Sequence, residues 1–379
     1  MKVYDISQEV FSCKVYPGDP RPERIVLKSI AGGDGYNLTA FSMCAHNGTH
    51  VDAPTHFLAE GRTLDQVPVE IHPAETGLSF DIDLTLEAGE DRVRVRIANH
   101  HTNLVHLEKN GEIFLDLPAV EASEDHLTDK SCLNIRQIVE FADILDVADV
   151  EKTVARQVKC NLALAKEGIE GNWGANIGSV LLHHQGELLS KRAAAWAAAG
   201  SDARMSGCEM PAIILSGSGN QGITASVPVA IYAEALGKTE EEMLRAVALS
   251  DLVTIHQKTG IGRLSAYCGA ISAGCGAGAG IAYLQGGKEH AVAHTVVNAI
   301  AILSGTICDG AKPSCAAKIA AAVDAGILGW DMYRDHQQFY GGDGIVTKGV
   351  DNTVRNVGRL AREGMKDTNK TILEIMLEE

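Results

Sequence analysis

A chain of 379 residues with 45% hydrophobic but only 5% aromatic side chains builds its core mainly from Ala, Val, Ile and Leu, over two or three domains at roughly 150 residues each. A formal net charge of −16 disfavours nucleic acid, whose phosphates need Lys and Arg to release counterions, and also disfavours anionic membrane surfaces. The start, MKVYDISQEVF, lacks the basic-then-apolar pattern of a signal peptide, and no window reaches the roughly 18 apolar residues of a membrane helix. A cytoplasmic, reducing setting is therefore expected, where nine cysteines point to metal or redox chemistry before disulfides.

Residues 1 to 45 read as short strands and turns. Val3–Ile6, Arg24–Ser29 and Asn37–Ser42 roughly alternate, and Pro17-Gly-Asp-Pro20 is turn chemistry. The proline-bearing stretch Pro68–Gly77 reads as a join. After it, Ser79–Leu86 and Arg92–Ile97 alternate strictly, each predicting a strand with one wet face. Asn103–Leu115 predicts a hairpin, with Asn110-Gly111 suited to a type I′ turn. From residue 134 the spacing is helical, over Ile135–Ile144, Val150–Lys166, Leu181–Ala199, Glu240–Asp251, Leu264–Tyr283, His290–Leu303, Ala311–Ala325 and Val350–Glu363. The expected fold class is α+β: an N-terminal β-rich segment (1–76), a small antiparallel β region (77–133), and a large α-helical domain rich in Ala and Gly (134–379). Such a helical domain makes a symmetric homo-oligomer the default expectation.

Two stretches carry chemistry. The first is His46-Asn-Gly-Thr-His-Val-Asp-Ala-Pro-Thr-His-Phe57. His46, His50 and Asp52 at this short spacing suit Zn²⁺ or Mn²⁺ with positions left for water, whose pKa the metal would lower toward ~7. His56 would serve as the base. The plain alternative is a polar, histidine-bearing loop. The string resembles the cyclase family of metal-dependent hydrolases, which includes kynurenine formamidase, and matches its H-x-G-T-H-x-D-x-P-x-H-F motif in full. The resemblance covers roughly the first 70 residues and implies amide hydrolysis.

The second lies downstream, where Cys268, Cys308 and Cys315 sit among glycines and alanines, with Cys275 and Cys208 as weaker candidates. Thiolates hold iron–sulfur clusters, and three rather than four leave one iron open as a Lewis acid. The alternative is a set of small buried hydrophobes. Asp309-Gly310 should break regular structure, placing Cys308 at a turn before the helix of Cys315. Ser216, Gly217, Ser218, Gly219, Asn220 and Gln221, followed by Gly222, form a backbone-exposing stretch suited to a carboxylate or phosphate, without the Lys of a P-loop.

Residues from about 77 onward resemble the L-cysteine desulfidase family, also described as serine dehydratase alpha-like. The strings are His101-Thr-Asn103, Ser201-Asp-Ala-Arg-Met205, Ser216–Ile223, Gly262-Arg-Leu-Ser265, Cys308-Asp-Gly-Ala-Lys312 and Arg355-Asn-Val-Gly-Arg359 followed by Arg362-Glu-Gly-Met365. The family's opening Gly-Cys-Thr-Glu-Pro motif does not occur in this chain. The resemblance implies a [4Fe–4S] cluster on Cys268, Cys308 and Cys315, and β-elimination from a small amino acid. L-cysteine would give pyruvate, ammonia and sulfide; L-serine would lose water instead. The 216–222 stretch would hold the α-carboxylate, helped by Lys312 or Arg263, and Lys258, His256 or Lys312 would remove the α-proton.

Overall fold

The computed structural model describes residues 20–29, 32–33, 38–43, 81–88, 91–99, 103–119, 128–262 and 265–377. Contacts divide the chain into two units, residues 1–76 with 81–119 and residues 77–80 with 120–379.

The described part of the first unit is all β. β1 (Glu23–Lys28) and β2 (Leu38–Ser42) form an antiparallel pair. β3 (Asp81–Ala88), β4 (Asp91–Ala98), β5 (Leu104–Lys109) and β6 (Glu112–Asp116) form a second antiparallel sheet in sequential order. The alternation in the sequence sets its register. Ile82, Leu84 and Leu86 pair with Ile97, Val95 and Val93, so one face is apolar. On the other face, Arg94 and Arg96 make forked bonds to Asp83 and Asp81, with Nη2–Oδ2 distances of 2.6 Å in both. Asn110 and Gly111 have φ of 52° and 84°, as the predicted type I′ turn requires.

The second unit is helical. In chain order come α1 (Ile135–Ile144), α2 (Val147–Val150), a π turn (Glu151–Ala155), α3 (Arg156–Glu170), α4 (Ile177–Gln185), α5 (Leu189–Met205), α6 (Gly219–Ala235) and α7 (Glu240–Ile261). Then follow α8 (Gly269–Leu284), α9 (Glu289–Leu303), α10 (Cys315–Arg334), α11 (Val350–Arg359), a second π turn (Leu360–Gly364) and α12 (Lys366–Leu377). The fold is α+β, with small antiparallel sheets and a large helical region.

Several helices differ from their sequence pattern. The segment expected from Leu181 is two helices broken at Gly186, and the one expected from Val150 is interrupted by the π turn. α7 runs on to Ile261, and α10 starts at Cys315 instead of Ala311. α6 has no counterpart among the predicted elements. It is buried on all sides, so it shows no apolar stripe, and its glycines and Pro228 read as breakers.

α8 is the centre of the bundle, packed by α6, α7, α9 and α10. Its glycines permit that approach: a Cβ on Gly276 would lie 2.2 Å from Thr254 Oγ1 of α7, and one on Gly278 2.4 Å from the Gly326 carbonyl of α10. A polar tie crosses the core, where Gln157 Nε2 of α3 donates to Asp251 Oδ1 of α7 at 3.0 Å and to the Gly222 carbonyl of α6 at 3.3 Å. Burial pushes the Asp251 carboxyl up to about 7, against the lowering effect of Gln157.

Candidate active site

Two short backbone pairings bring distant cysteines together. Tyr267 and Ile307 form an isolated antiparallel bridge. Beside it, Cys268 N–H donates to the Thr306 carbonyl at 3.1 Å and Cys308 N–H to the Ala266 carbonyl at 2.5 Å. Cys268, only 8% exposed, is the N-cap residue of α8. The Cys268 thiol donates to Cys308, which pushes Cys268 up and Cys308 down. Burial opposes the lowering at Cys308, while the Gly310 N–H and Lys318 favour its thiolate.

Cys315 opens α10, and its thiol faces the Gly310 carbonyl at 3.7 Å. Gly310 has φ of +95°, so Asp309-Gly310 makes the expected break. Lys318, one turn into α10, donates to the Ile307 carbonyl at 3.0 Å and pairs with Asp309. Its positive charge acts on Cys268, Cys308 and Cys315 alike. Cys275 lies apart in the core, where burial pushes its thiol up to about 12; it is a packing residue. Cys208 is half-buried just beyond α5, and packs against the core.

The three proposed bases have different surroundings. Lys258 of α7 is 7% exposed and makes no hydrogen bond or ion pair among the described residues. Burial pushes its ammonium pKa down, partly offset by Cys308 and Cys268. His256 is committed elsewhere, since its Nε2 bonds Asp351 at 2.8 Å, and Asp351 also accepts the Ile135 N–H at the start of α1. Lys312 pairs with Asp309, whose carboxyl is pushed down to about 2 by Lys312 and Lys318. Arg263 lies outside the described residues, as do His46, His50, Asp52 and His56.

The Ser216–Gly222 stretch is part turn and part helix. Ser216 and Gly217 have φ of 48° and 85°, and Leu215 and Ser218 exchange backbone bonds of 3.0 and 3.1 Å, a type I′ turn. α6 then starts at Gly219, and its first amides have no carbonyl one turn back to bond. The anion-attracting element is therefore a helix N-terminus, where a nest of glycines was expected.

Arg204, near the end of α5, completes this region. Its Nη1 donates to Asn220 Oδ1 at 3.1 Å, and no carboxylate pairs with it among the described residues. Burial lowers its pKa, and the Cys315 charge acts the other way. Gly219 is required here, because a Cβ there would stand 2.3 Å from Arg204 Nε. Arg204 has no role among the sequence-based expectations, although the string around it marks the family resemblance. The signal was available: a cation at the end of a helix otherwise filled by buried alanines. Gln221 is 6% exposed, and its Oε1 has no hydrogen-bond partner among the described residues. Its amide lies against Gly269, where a Cβ would meet Nε2 at 2.6 Å, so it sits one residue from Cys268.

The N-terminal ends of α6, α8 and α10 thus meet around Cys268, Cys308 and Cys315, with Lys258, Lys318 and Arg204 beside them. Among the described residues, no three His, Cys, Asp or Glu side chains close on a single ion. The donor set suits a larger, soft, negatively charged group: three thiols with two lysines, one arginine and helix N-termini beside them.

Residues 86–374 match the family model described as serine dehydratase alpha chain, a span that omits the His46–Phe57 string. The chain is similar to a UPF0597 protein of Desulfitobacterium hafniense, 55% identical over 314 residues, covering 83% of this chain and 73% of the relative. It is also similar to UPF0597 proteins of Lachnoclostridium phytofermentans, at 45% over 80% of this chain and 72% of the relative, and Treponema denticola, at 40% over 87% and 77%. No solved structure matches the chain. Among the described residues no helix is long and apolar enough to cross a membrane.

Proposed function

The chain belongs to the serine dehydratase alpha-chain family, and from that premise we propose that it is a lyase removing the β-substituent of L-cysteine or L-serine. The observation that carries this reading is a buried Lys258, unpaired among the described residues, beside the Cys268–Cys308 pair. Cys268, Cys308 and Cys315 are the residues that would hold a [4Fe–4S] cluster, which when bound would supply a Lewis-acidic iron for the departing sulfur or oxygen.

The chain's own groups supply the rest. Arg204, Asn220 and the first amides of α6 bind the α-carboxylate. The open Oε1 of Gln221 accepts from the α-ammonium. Lys258 takes the α-proton; burial lowers its pKa toward the unprotonated form from which a general base acts. The electrons of the Cα–H bond form the Cα–Cβ double bond, and the sulfur or oxygen leaves with the pair from the Cβ bond. The resulting aminoacrylate tautomerises to an imine, and water hydrolyses it to pyruvate and ammonia.

Anaerobically reconstituted protein tests the proposal. It is expected to release pyruvate from one of the two amino acids, with sulfide as the co-product from cysteine. An intact cluster without pyruvate from either substrate refutes it.

A further inference from the structure

His290 and His294 lie one turn apart on α9, so their side chains share a face. Their Nε2 atoms stand 3.3 Å apart and their rings 4.4 Å between centroids. Tyr333 of α10 closes the group: its hydroxyl lies 3.4 Å from His290 Nδ1, and its ring stacks on His294 at 5.7 Å and on Trp330 at 5.8 Å. Gln338 also bonds the His294 side chain.

From this geometry we propose that His290 and His294 form a two-point clamp for a divalent transition-metal ion of the Zn²⁺ class, on the α9–α10 face and separate from the cysteine centre. Zinc–imidazole bonds of ~2.0–2.1 Å and a tetrahedral opening place two ligand nitrogens roughly 3.3 Å apart. The observed separation is the same, and a turn of the rings about their side-chain bonds aims both lone pairs at one ion. Spacing of i, i+4 on a helix is also how paired histidines bind zinc in metalloprotease helices.

The outer contacts favour the same reading. A ligating imidazole is commonly held through its other ring nitrogen by a polar neighbour. Tyr333 supplies that contact to His290 Nδ1, and stacking on Tyr333 fixes the plane of His294. In the metal-free pair, the two Nε2 atoms approach each other and share at most one proton. The ion replaces that proton and uses both. Water fills the remaining positions, since no third protein ligand closes on the pair among the described residues. The affinity is therefore below that of a structural four-ligand zinc site. Occupancy stiffens the first turn of α9.

Calorimetric titration of the full anaerobic protein with Zn²⁺ tests the clamp, comparing wild type with His294→Ala and His290→Asn. Both side chains lie outside the core, so the variants keep the fold, and the cysteines are the same in all three. The clamp predicts one more Zn²⁺ per chain in the wild type than in either variant. A thermal midpoint that rises with Zn²⁺ in the wild type by more than in the variants supports it as well. Equal stoichiometry and equal Zn²⁺-dependent stabilisation in all three proteins overturn it.

Discussion

Replacing Arg204 with Met should move activity and stability in opposite directions. The guanidinium is half-buried, bonds neutral Asn220 at 3.1 Å, and has no carboxylate partner among the described residues. In the free protein it is a desolvated cation, as its lowered pKa records. Methionine keeps much of the volume and removes that cost. With substrate bound, the same charge meets the α-carboxylate. A hydrogen bond to a charged group contributes about 1.5–3 kcal/mol, which corresponds to roughly a 10- to 150-fold loss in kcat/KM. The loss should fall mainly on KM, because the carboxylate is charged in both the ground and transition states. The assay is steady-state pyruvate formation under anaerobic conditions, together with urea unfolding of the same preparations. A variant with wild-type KM refutes the carboxylate assignment. A variant that loses activity and stability together shows instead that Arg204 is a structural residue.

Three further expectations follow from named contacts. Lys258→Met should lower kcat by roughly 10²- to 10⁴-fold, the contribution of a positioned general base, while iron content stays unchanged; kcat within a few-fold of wild type refutes its role. His256→Gln should leave kcat near wild type but lower unfolding free energy by about 1–2 kcal/mol, because it weakens the 2.8 Å bond to Asp351 at the start of α11; the reverse pattern in kinetics and urea unfolding would return His256 to the catalytic set. Asp251→Asn should leave stability little changed near pH 4 and raise it progressively toward pH 8. The folded carboxyl titrates at about 7 against a reference of 3.8, so its proton-linked stability is present at low pH and is lost as pH rises through 7. That gap of about three pH units corresponds to about 4 kcal/mol at most. A difference between Asn and Asp that does not change with pH contradicts it.

The described strands were legible because half-buried antiparallel sheets alternate, and Asn110-Gly111 has few conformations open to it other than the turn observed; Val3–Ile6 lies outside the described residues. The helices with one wet face were equally clear; α1 appears with the predicted boundaries. α6 was hidden because total burial erases periodicity, and the break after α4 was hidden because it rests on one glycine, Gly186, which a helix tolerates. At the site, the cysteines and the glycine-bearing stretch stood out by residue type. Their meeting depends on the Tyr267–Ile307 bridge, a pairing across 40 residues of chain that no local pattern encodes. Choosing among Lys258, His256 and Lys312 needed their partners: Asp351 and Asp309 engage the last two and leave Lys258 without one. Arg204 was overlooked for the same reason, since its importance lies in the missing carboxylate.

The central claim is elimination at a centre held by the three clustered cysteines. Its most direct test is iron content and pyruvate formation measured on one anaerobic preparation, in wild type and Cys308→Ser. The account predicts iron together with pyruvate in the wild type, and loss of both in the variant. Pyruvate formation by Cys308→Ser at the wild-type rate, or by wild type free of iron, would contradict it.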